Sequence, residues 1–165
     1  MKKFICLLFA LLMATQLTAC ASEATKALQE AKRAFNNAEW AEAKDYAQQV
    51  INNYPDTKAA QKAQKIVDDA SEKMDLEFAE TLAKEAEEAF ASKNWQVVID
   101  NYKTIVKLVP VSELADRVSS WNTEAESNWK KELTKKMKTA YSDGEWSSAD
   151  SYASKIIQYF PDSSE

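Results

Sequence analysis

The sequence predicts an all-α protein made of helical-hairpin repeats, in which short and long helices alternate. One observation is that three stretches align without gaps: AFNNAEWAEAKDYAQQVINNYPD, AFASKNWQVVIDNYKTIVKLVPV and AYSDGEWSSADSYASKIIQYFPD. The other is that the segments between them contain no glycine or proline and carry apolar residues at helical spacing. The 165 residues contain one glycine and three prolines, so residues that interrupt helices are rare.

Residues 1–19 have the layout of a secretory signal peptide. Lys2 and Lys3 give a positive start, the apolar core covers 4–12, and the segment then becomes smaller and more polar up to Ala19. A membrane-spanning helix needs about 20 mostly apolar residues, and the uncharged stretch before Cys20 is shorter than that. We therefore predict that this segment is removed rather than retained in a membrane.

The cleavage site can be interpreted in two ways. Leu17-Thr18-Ala19-Cys20 resembles the bacterial lipobox, which implies that Cys20 becomes an acylated first residue carrying palmitate-type chains, followed by a short tether over 20–25. The residue after the cysteine is Ala21 rather than Asp, which by the same resemblance implies delivery to the outer membrane, facing the periplasm. Alternatively, Ala19-Cys20-Ala21 fits ordinary signal cleavage, which would leave Ser22 as the first residue.

Residues 26–165 form the predicted repeat domain of three units, each running from a tryptophan to a proline. Trp40, Trp95 and Trp146 correspond, and each lies 15 residues before the proline of its unit. The interval is an amphipathic helix of about 14 residues, because its apolar side chains fall on one stripe. Pro55, Pro110 and Pro161 end these helices, and the candidate N-caps of the next helix are Asp56 or Thr57 and Ser112.

A long helix of about 30 to 36 residues is predicted between successive units. Its apolar residues recur about every four positions, which rotates the stripe by about 40° per step. The two series are Ile66, Ala70, Met74, Phe78, Leu82, Ala86, Phe90 and Leu114, Val118, Trp121, Ala125, Trp129, Leu133, Met137, Tyr141. This drift predicts that one half of each helix packs backward and the other half forward. A break near 71–75 or 122–128 is the alternative.

The hairpin pattern resembles the tetratricopeptide repeat, with a small residue, then Trp-x-x-Ala, then proline. Ala31, Trp40, Ala43 and Pro55 match in the first unit, whereas Val98 replaces the alanine in the second and Met137 the small residue in the third. The period also differs, at 55 and then 51 residues instead of the family's 34. A lipobox followed by such repeats is similar to BamD-type outer-membrane lipoproteins, which implies a role in outer-membrane protein assembly.

Composition argues against most enzyme classes and against nucleic acid. The chain has no histidine, and its second cysteine, Cys6, lies in the predicted signal peptide, so we expect no catalytic nucleophile, metal site, cofactor or small-molecule substrate. The net charge is −5, and removing two lysines with the signal peptide makes it −7, which disfavours binding to phosphates. The charge is uneven, with net −7 over 68–88 and net +4 over 130–138.

The function that this sequence predicts is a non-enzymatic scaffold for envelope proteins. Candidate partner-binding residues are Trp121, Trp129, Tyr152 and Ile156, although a packing role between helices is the simpler interpretation of the two tryptophans. The alternative function is a structural or self-associating envelope lipoprotein without a fixed client.

Two further expectations concern the repeats. We expect the three repeat tryptophans to be structural. We also expect the third short helix to lack a covering neighbour, with no polar cap at that end, which would make its apolar stripe a binding surface. The alternatives are that the N-terminal helices fold back over this stripe, or that the chain is a shortened relative of a longer protein.

Overall fold

The computed structural model describes residues 22–162, and within them the chain is helical and contains no strand. Helix α1 covers 22–36 of the described part, so residues 22–25, predicted as tether, are helical. The other five helices are α2 (Trp40–Asn53), α3 (Lys58–Ala91), α4 (Trp95–Leu108), α5 (Glu113–Ser142) and α6 (Trp146–Tyr159). None of the helices in 22–162 combines the length and apolar character that crossing a membrane requires.

The all-α prediction and the alternation of helix lengths are confirmed. The three short helices have 14 residues each, and α3 and α5 have 34 and 30. Both long helices are continuous through the segments where a break was the alternative. Within residues 22–162 the chain divides into two compact units, one up to Leu76 and one from Glu77 onward.

The first unit contains one apolar core, formed by α1, α2 and the N-terminal part of α3. Its buried residues are mostly alanines, which let the helices approach closely. They are Ala24, Leu28, Ala31, Ala34, Ala43, Ala47, Val50, Ala59, Ala63, Ile66 and Ala70. The contribution of α3 comes from Ala59, Ala63, Ile66 and Ala70, which are four or three residues apart and lie on one stripe. The series predicted for α3 is confirmed at Ile66 and Ala70 but wrong at Met74 and Phe78, which are 38 % and 53 % exposed.

The second unit contains two apolar clusters, and α5 contributes to both. The first joins the C-terminal part of α3 and the N-terminal half of α5 to α4: Ala79, Leu82, Ala83, Ala86, Ile105, Ala115 and Val118. The second joins the later part of α5 to the end of α3, to the start of α4 and to α6: Ala89, Trp95, Val98, Ile99, Ala125, Trp129, Leu133 and Ile156. One half of α5 thus packs backward and the other forward, as its drifting stripe predicted.

Helices α1, α3 and α5 each turn into the next short helix through the same motif. The residue in the left-handed region is Ala38 (φ 60°), Lys93 (φ 59°) and Gly144 (φ 77°) in the three hairpins. The backbone N–H of the following residue, for example Asn94, donates to the carbonyl of Ala89 five positions earlier, at 2.8 Å. This is the Schellman closure of a helix C-terminus, and its equivalents in the other two hairpins measure 2.9 Å.

Each short helix is joined to the next long helix by a capped turn. The Ser112 hydroxyl donates to the carbonyl of Val109 at 2.9 Å and accepts from the N–H of Ala115 at 3.1 Å. Thr57 makes the equivalent pair of bonds at 2.8 and 3.2 Å. Thr57 and Ser112 are therefore the N-caps, and Asp56 is not.

Candidate functional site

The three repeat tryptophans occupy equivalent sequence positions but are unequally buried. Trp95 is 9 % exposed, Trp40 is partly buried, and Trp146 is 62 % exposed. The expectation that the three tryptophans are structural is therefore confirmed for Trp95 but wrong for Trp146, because no helix among the described residues covers the outer side of α6.

The unequal burial does not come from a different local geometry. Each tryptophan makes an edge-to-face contact with the aromatic residue five positions earlier, across the hairpin turn. The ring centroids are 5.1 Å apart for Phe35–Trp40, 5.7 Å for Phe90–Trp95 and 5.1 Å for Tyr141–Trp146. In the second hairpin Trp121 of α5 also stacks on Phe90 at 6.2 Å. The long helix that follows thus completes the second aromatic pair.

One flank of α6 is tied to α4 through Tyr159. The Tyr159 hydroxyl donates to the carboxylate of Asp100 and accepts from the amide of Gln96, both at 3.1 Å. The Lys103 ammonium lies 4.8 Å from the centre of the same ring. Burial raises the pKa of Tyr159 above its usual value, and the hydrogen bond to Asp100 raises it further. This flank is therefore a specific contact between the second and third hairpins.

The opposite flank of α6 faces no helix of the described chain. We name it the open edge; it consists of Tyr141 at the end of α5 and of Trp146, Asp150, Ala153 and Ile157 on α6. The exposed fractions of its three large apolar side chains are 65 % for Tyr141, 62 % for Trp146 and 71 % for Ile157. In the second hairpin Trp95 and Ile99 are buried and Val106 is partly buried at the positions of Trp146, Asp150 and Ile157. The expected uncovered stripe is thus confirmed for this flank, although Ala149 and Ile156 pack inward.

Helix α5 also presents a basic face, of which Lys138 lies about one turn before Tyr141 of the open edge. Lys130, Lys131, Lys135 and Lys138, which we name the lysine face, line a shallow surface depression of about 570 Å³ together with Ser127, Thr134 and Thr139. Within residues 22–162 none of these four lysines is in an ion pair. Lys136, in contrast, pairs with Glu132 at 2.6 Å.

Lys130 of the lysine face and its neighbours Thr134 and Met137 occupy positions that are apolar and buried in the earlier repeats. Ala24, Leu28 and Ala31 on α1, and Ala79, Ala83 and Ala86 on α3, are buried in their respective cores. Counting 55 and then 51 residues along the chain, their counterparts on α5 are Lys130, Thr134 and Met137. Two of the three α5 positions are therefore polar where the earlier repeats are apolar, whereas Met137 packs against the second cluster. The change from apolar to polar residues is visible in the repeat alignment.

The predicted partner-binding residues lie in or against the second cluster of the second unit. Trp129 is 7 % and Ile156 is 5 % exposed, and Trp129 makes edge-to-face contacts with Tyr159 and Phe160 at 4.6 and 5.9 Å. Trp121 and Tyr152 are partly buried against the same cluster. A partner could reach the first two only after α6 had moved, so their packing role explains their position. The predicted lipidation residue, Cys20, lies outside the described residues.

Other polar chemistry in the described chain is sparse. Residues 22–162 contain no cluster of three or more histidine, cysteine, aspartate or glutamate side chains that could hold a metal ion. Asn122 is buried in α5, where its amide nitrogen donates to Glu126 at 3.0 Å while its oxygen has no partner.

None of the family models, curated proteins or solved structures compared with this chain matches it.

Proposed function

We propose that this chain is a lipid-anchored scaffold of the bacterial cell envelope that binds other proteins through its helical repeats. The observation that carries the proposal is the open edge, where Tyr141, Trp146 and Ile157 expose large apolar side chains at positions that are covered in the preceding repeat. Exposed apolar patches of this kind mark interaction sites, and aromatic residues dominate binding energy at such sites. The lipobox at 17–20 supports the address in the envelope, with outer-membrane protein assembly as the role that the resemblance to BamD-type lipoproteins favours.

Site-specific photocrosslinking in intact cells tests this proposal. A photoreactive residue at Ile157 should give discrete crosslinked products with other envelope proteins, because that position lies on the exposed flank. Lys155 lies on the opposite side of the same exposed helix and is the matched control position. Products that consist only of crosslinked copies of this chain would support the structural, self-associating alternative, and an absence of any product at Ile157 would refute the scaffold.

The lipid anchor has its own test. Mass spectrometry of the mature N-terminus should show an acylated Cys20, and a Cys20→Ser variant should remain in the soluble fraction or unprocessed. An unmodified N-terminus at Ser22 would refute the anchor. Membrane fractionation then tests the sorting expectation, which recovery in the inner membrane alone would contradict.

A further inference from the structure

The second unit contains its own example of how the edge of a hairpin is covered. The N-terminal half of α5, residues 113–126, lies against α4 and the C-terminal part of α3, and buries Ala115 and Val118 in their shared cluster. Its Trp121 stacks on Phe90, which completes the second aromatic pair. The edge of one repeat is thus covered by an amphipathic helix that crosses both helices of the hairpin.

The equivalent surface of the third hairpin has the same layout but different chemistry. Its apolar part is the open edge, where the Tyr141–Trp146 pair corresponds to Phe90–Trp95. Its other part is the lysine face, of which Lys130 stands where the two earlier repeats have the buried alanines Ala79 and Ala24. A helix that occupied this surface would therefore meet apolar groups on one side and four lysines without ion-pair partners on the other.

From this combination we infer that the open edge and the lysine face together bind an acidic amphipathic helix of a partner protein. The inference rests on the proposed function and specifies the partner's chemistry. The apolar stripe of such a helix would cover Trp146 and Ile157, and its acidic residues would lie along the lysine face. Charge complementarity of this kind steers association and selects among partners. Asp150 lies between Trp146 and Ile157 and disfavours an acidic residue directly opposite it.

A flat anionic membrane surface fits this geometry less well. Lysines alone would suffice for attraction to anionic lipids. However, the exposed apolar residues of α6 follow the helix axis, from Trp146 at its start to Ile157 near its end. This arrangement suits a partner helix that lies alongside α6. The membrane is therefore the competing outcome in the test.

The probe is a fluorescein-labelled peptide with the sequence of residues 112–126, SELADRVSSWNTEAE, which has a net charge of −3. The control peptide replaces its four acids with lysine and Arg117 with glutamate, which gives +3. The protein is the mature chain, residues 20–165, with Cys20→Ser. We expect fluorescence anisotropy to show saturable binding of the acidic peptide that weakens as salt is added, and no binding of the control peptide.

Two variants assign the binding to this surface. Lys130→Glu with Lys138→Glu should weaken binding by about tenfold or more, because two attractive contacts become repulsive. Lys62→Glu with Lys65→Glu changes the net charge equally on exposed positions of α3 in the first unit, and should leave binding unchanged. Ile157→Ser should also weaken binding, whereas Val111→Ser, at the 98 % exposed residue before α5, should not.

The inference is overturned if neither peptide binds, if both bind equally, or if the two lysine pairs have equal effects. It is also overturned if the chain binds phosphatidylglycerol vesicles through the lysine face but does not bind the acidic peptide. Crosslinking at Ile157 to a protein, together with no peptide binding, would refute the acidic helix while leaving the scaffold. Peptide binding without any crosslinking in cells would refute the scaffold while leaving the chemistry of the surface.

Discussion

The second and third hairpins have the same local structure, but their tryptophans differ in burial. Both turn through a residue in the left-handed region, close with a Schellman bond of 2.8 to 2.9 Å, and place an aromatic ring edge-to-face on the tryptophan. Trp95 is nevertheless buried, and Trp146 is 62 % exposed. The difference shows that the repeat motif determines where the tryptophan lies, whereas its burial depends on neighbouring helices.

Truncating the two tryptophans should produce the largest difference between the hairpins. Trp95→Ala should lower the free energy of unfolding by about 3–5 kcal/mol, because it removes a buried aromatic side chain from the core. Trp146→Ala should cost no more than about 1.5 kcal/mol, since the exposed Trp146 ring packs mainly on the ring of Tyr141. Urea unfolding followed by far-ultraviolet circular dichroism measures both. Equal losses of stability would mean that Trp146 is covered in solution and that the open edge is not free.

Tyr159→Phe tests the contact that ties the third hairpin to the second. The variant loses two hydrogen bonds, to Asp100 and from Gln96, and should be destabilised by about 1–2 kcal/mol near neutral pH. Tyr152→Phe is the matched control, because the Tyr152 hydroxyl has no hydrogen-bond partner in the described chain and its removal should cost less than about 0.5 kcal/mol.

The same variant has a pH signature. Because burial and then the bond to Asp100 raise the pKa of Tyr159, the folded chain holds the phenolic proton more tightly than the unfolded chain. This contribution is fully present below the unfolded pKa of about 10 and is lost as the pH rises through the higher folded pKa. Tyr159→Phe should lack this alkaline component. If the stability of Tyr159→Phe depended on pH in the same way as that of the unmodified chain between neutral pH and about pH 11, the contact between Tyr159 and Asp100 would be contradicted.

Ser112→Ala sharpens the comparison at the start of the helix that covers the second hairpin. The variant removes the cap on the N–H of Ala115 and should cost about 1 kcal/mol. Ser120→Ala, at an exposed serine within α5, should change the free energy of unfolding by less than about 0.5 kcal/mol. If Ser120→Ala destabilised the chain as much as Ser112→Ala, the loss of stability in Ser112→Ala could not be assigned to the lost N-cap.

Substitutions at Lys93 and Gly144, the residues with backbone in the left-handed region, should have the smallest effects on stability, and these effects should have opposite signs. Lys93→Gly should stabilise the chain by about 0.5–1 kcal/mol, because glycine adopts φ 59° without the penalty of a Cβ. Gly144→Ala should destabilise it by a similar amount through backbone strain alone, since an added Cβ would meet nothing within 4 Å. Thermal unfolding of both variants measures the signs, and two shifts in the same direction would contradict the shared turn geometry.

The helices were predictable from the sequence because local signals agree. The tryptophan-to-proline spacing predicted the three 14-residue helices, and the drifting stripe of α5 predicted its division between two clusters. The sequence predicted an uncovered stripe on α6 but not which of its residues are exposed, because that depends on how α6 packs on its neighbours. Trp146 and Ile157 are exposed, whereas Ala149 and Ile156 pack inward. Part of the lysine face could be predicted from the repeat alignment, because Lys130 and its neighbour Thr134 stand where earlier repeats have alanine or leucine. The run of lysines alone does not indicate a binding site, because such a run is typical of a solvated helix face.

The sharing of α5 between two clusters also constrains how this chain can accept insertions and deletions. One residue inserted between Val118 and Ala125 would turn the later stripe by about 100° and point Leu133 away from α6. Four inserted residues would turn it by only about 40°, and seven by about 20°. The 34 and 30 residues of α3 and α5 differ by four, which is close to one turn. The spacing of these repeats is therefore free to change in steps of whole helical turns, and resists change by single residues.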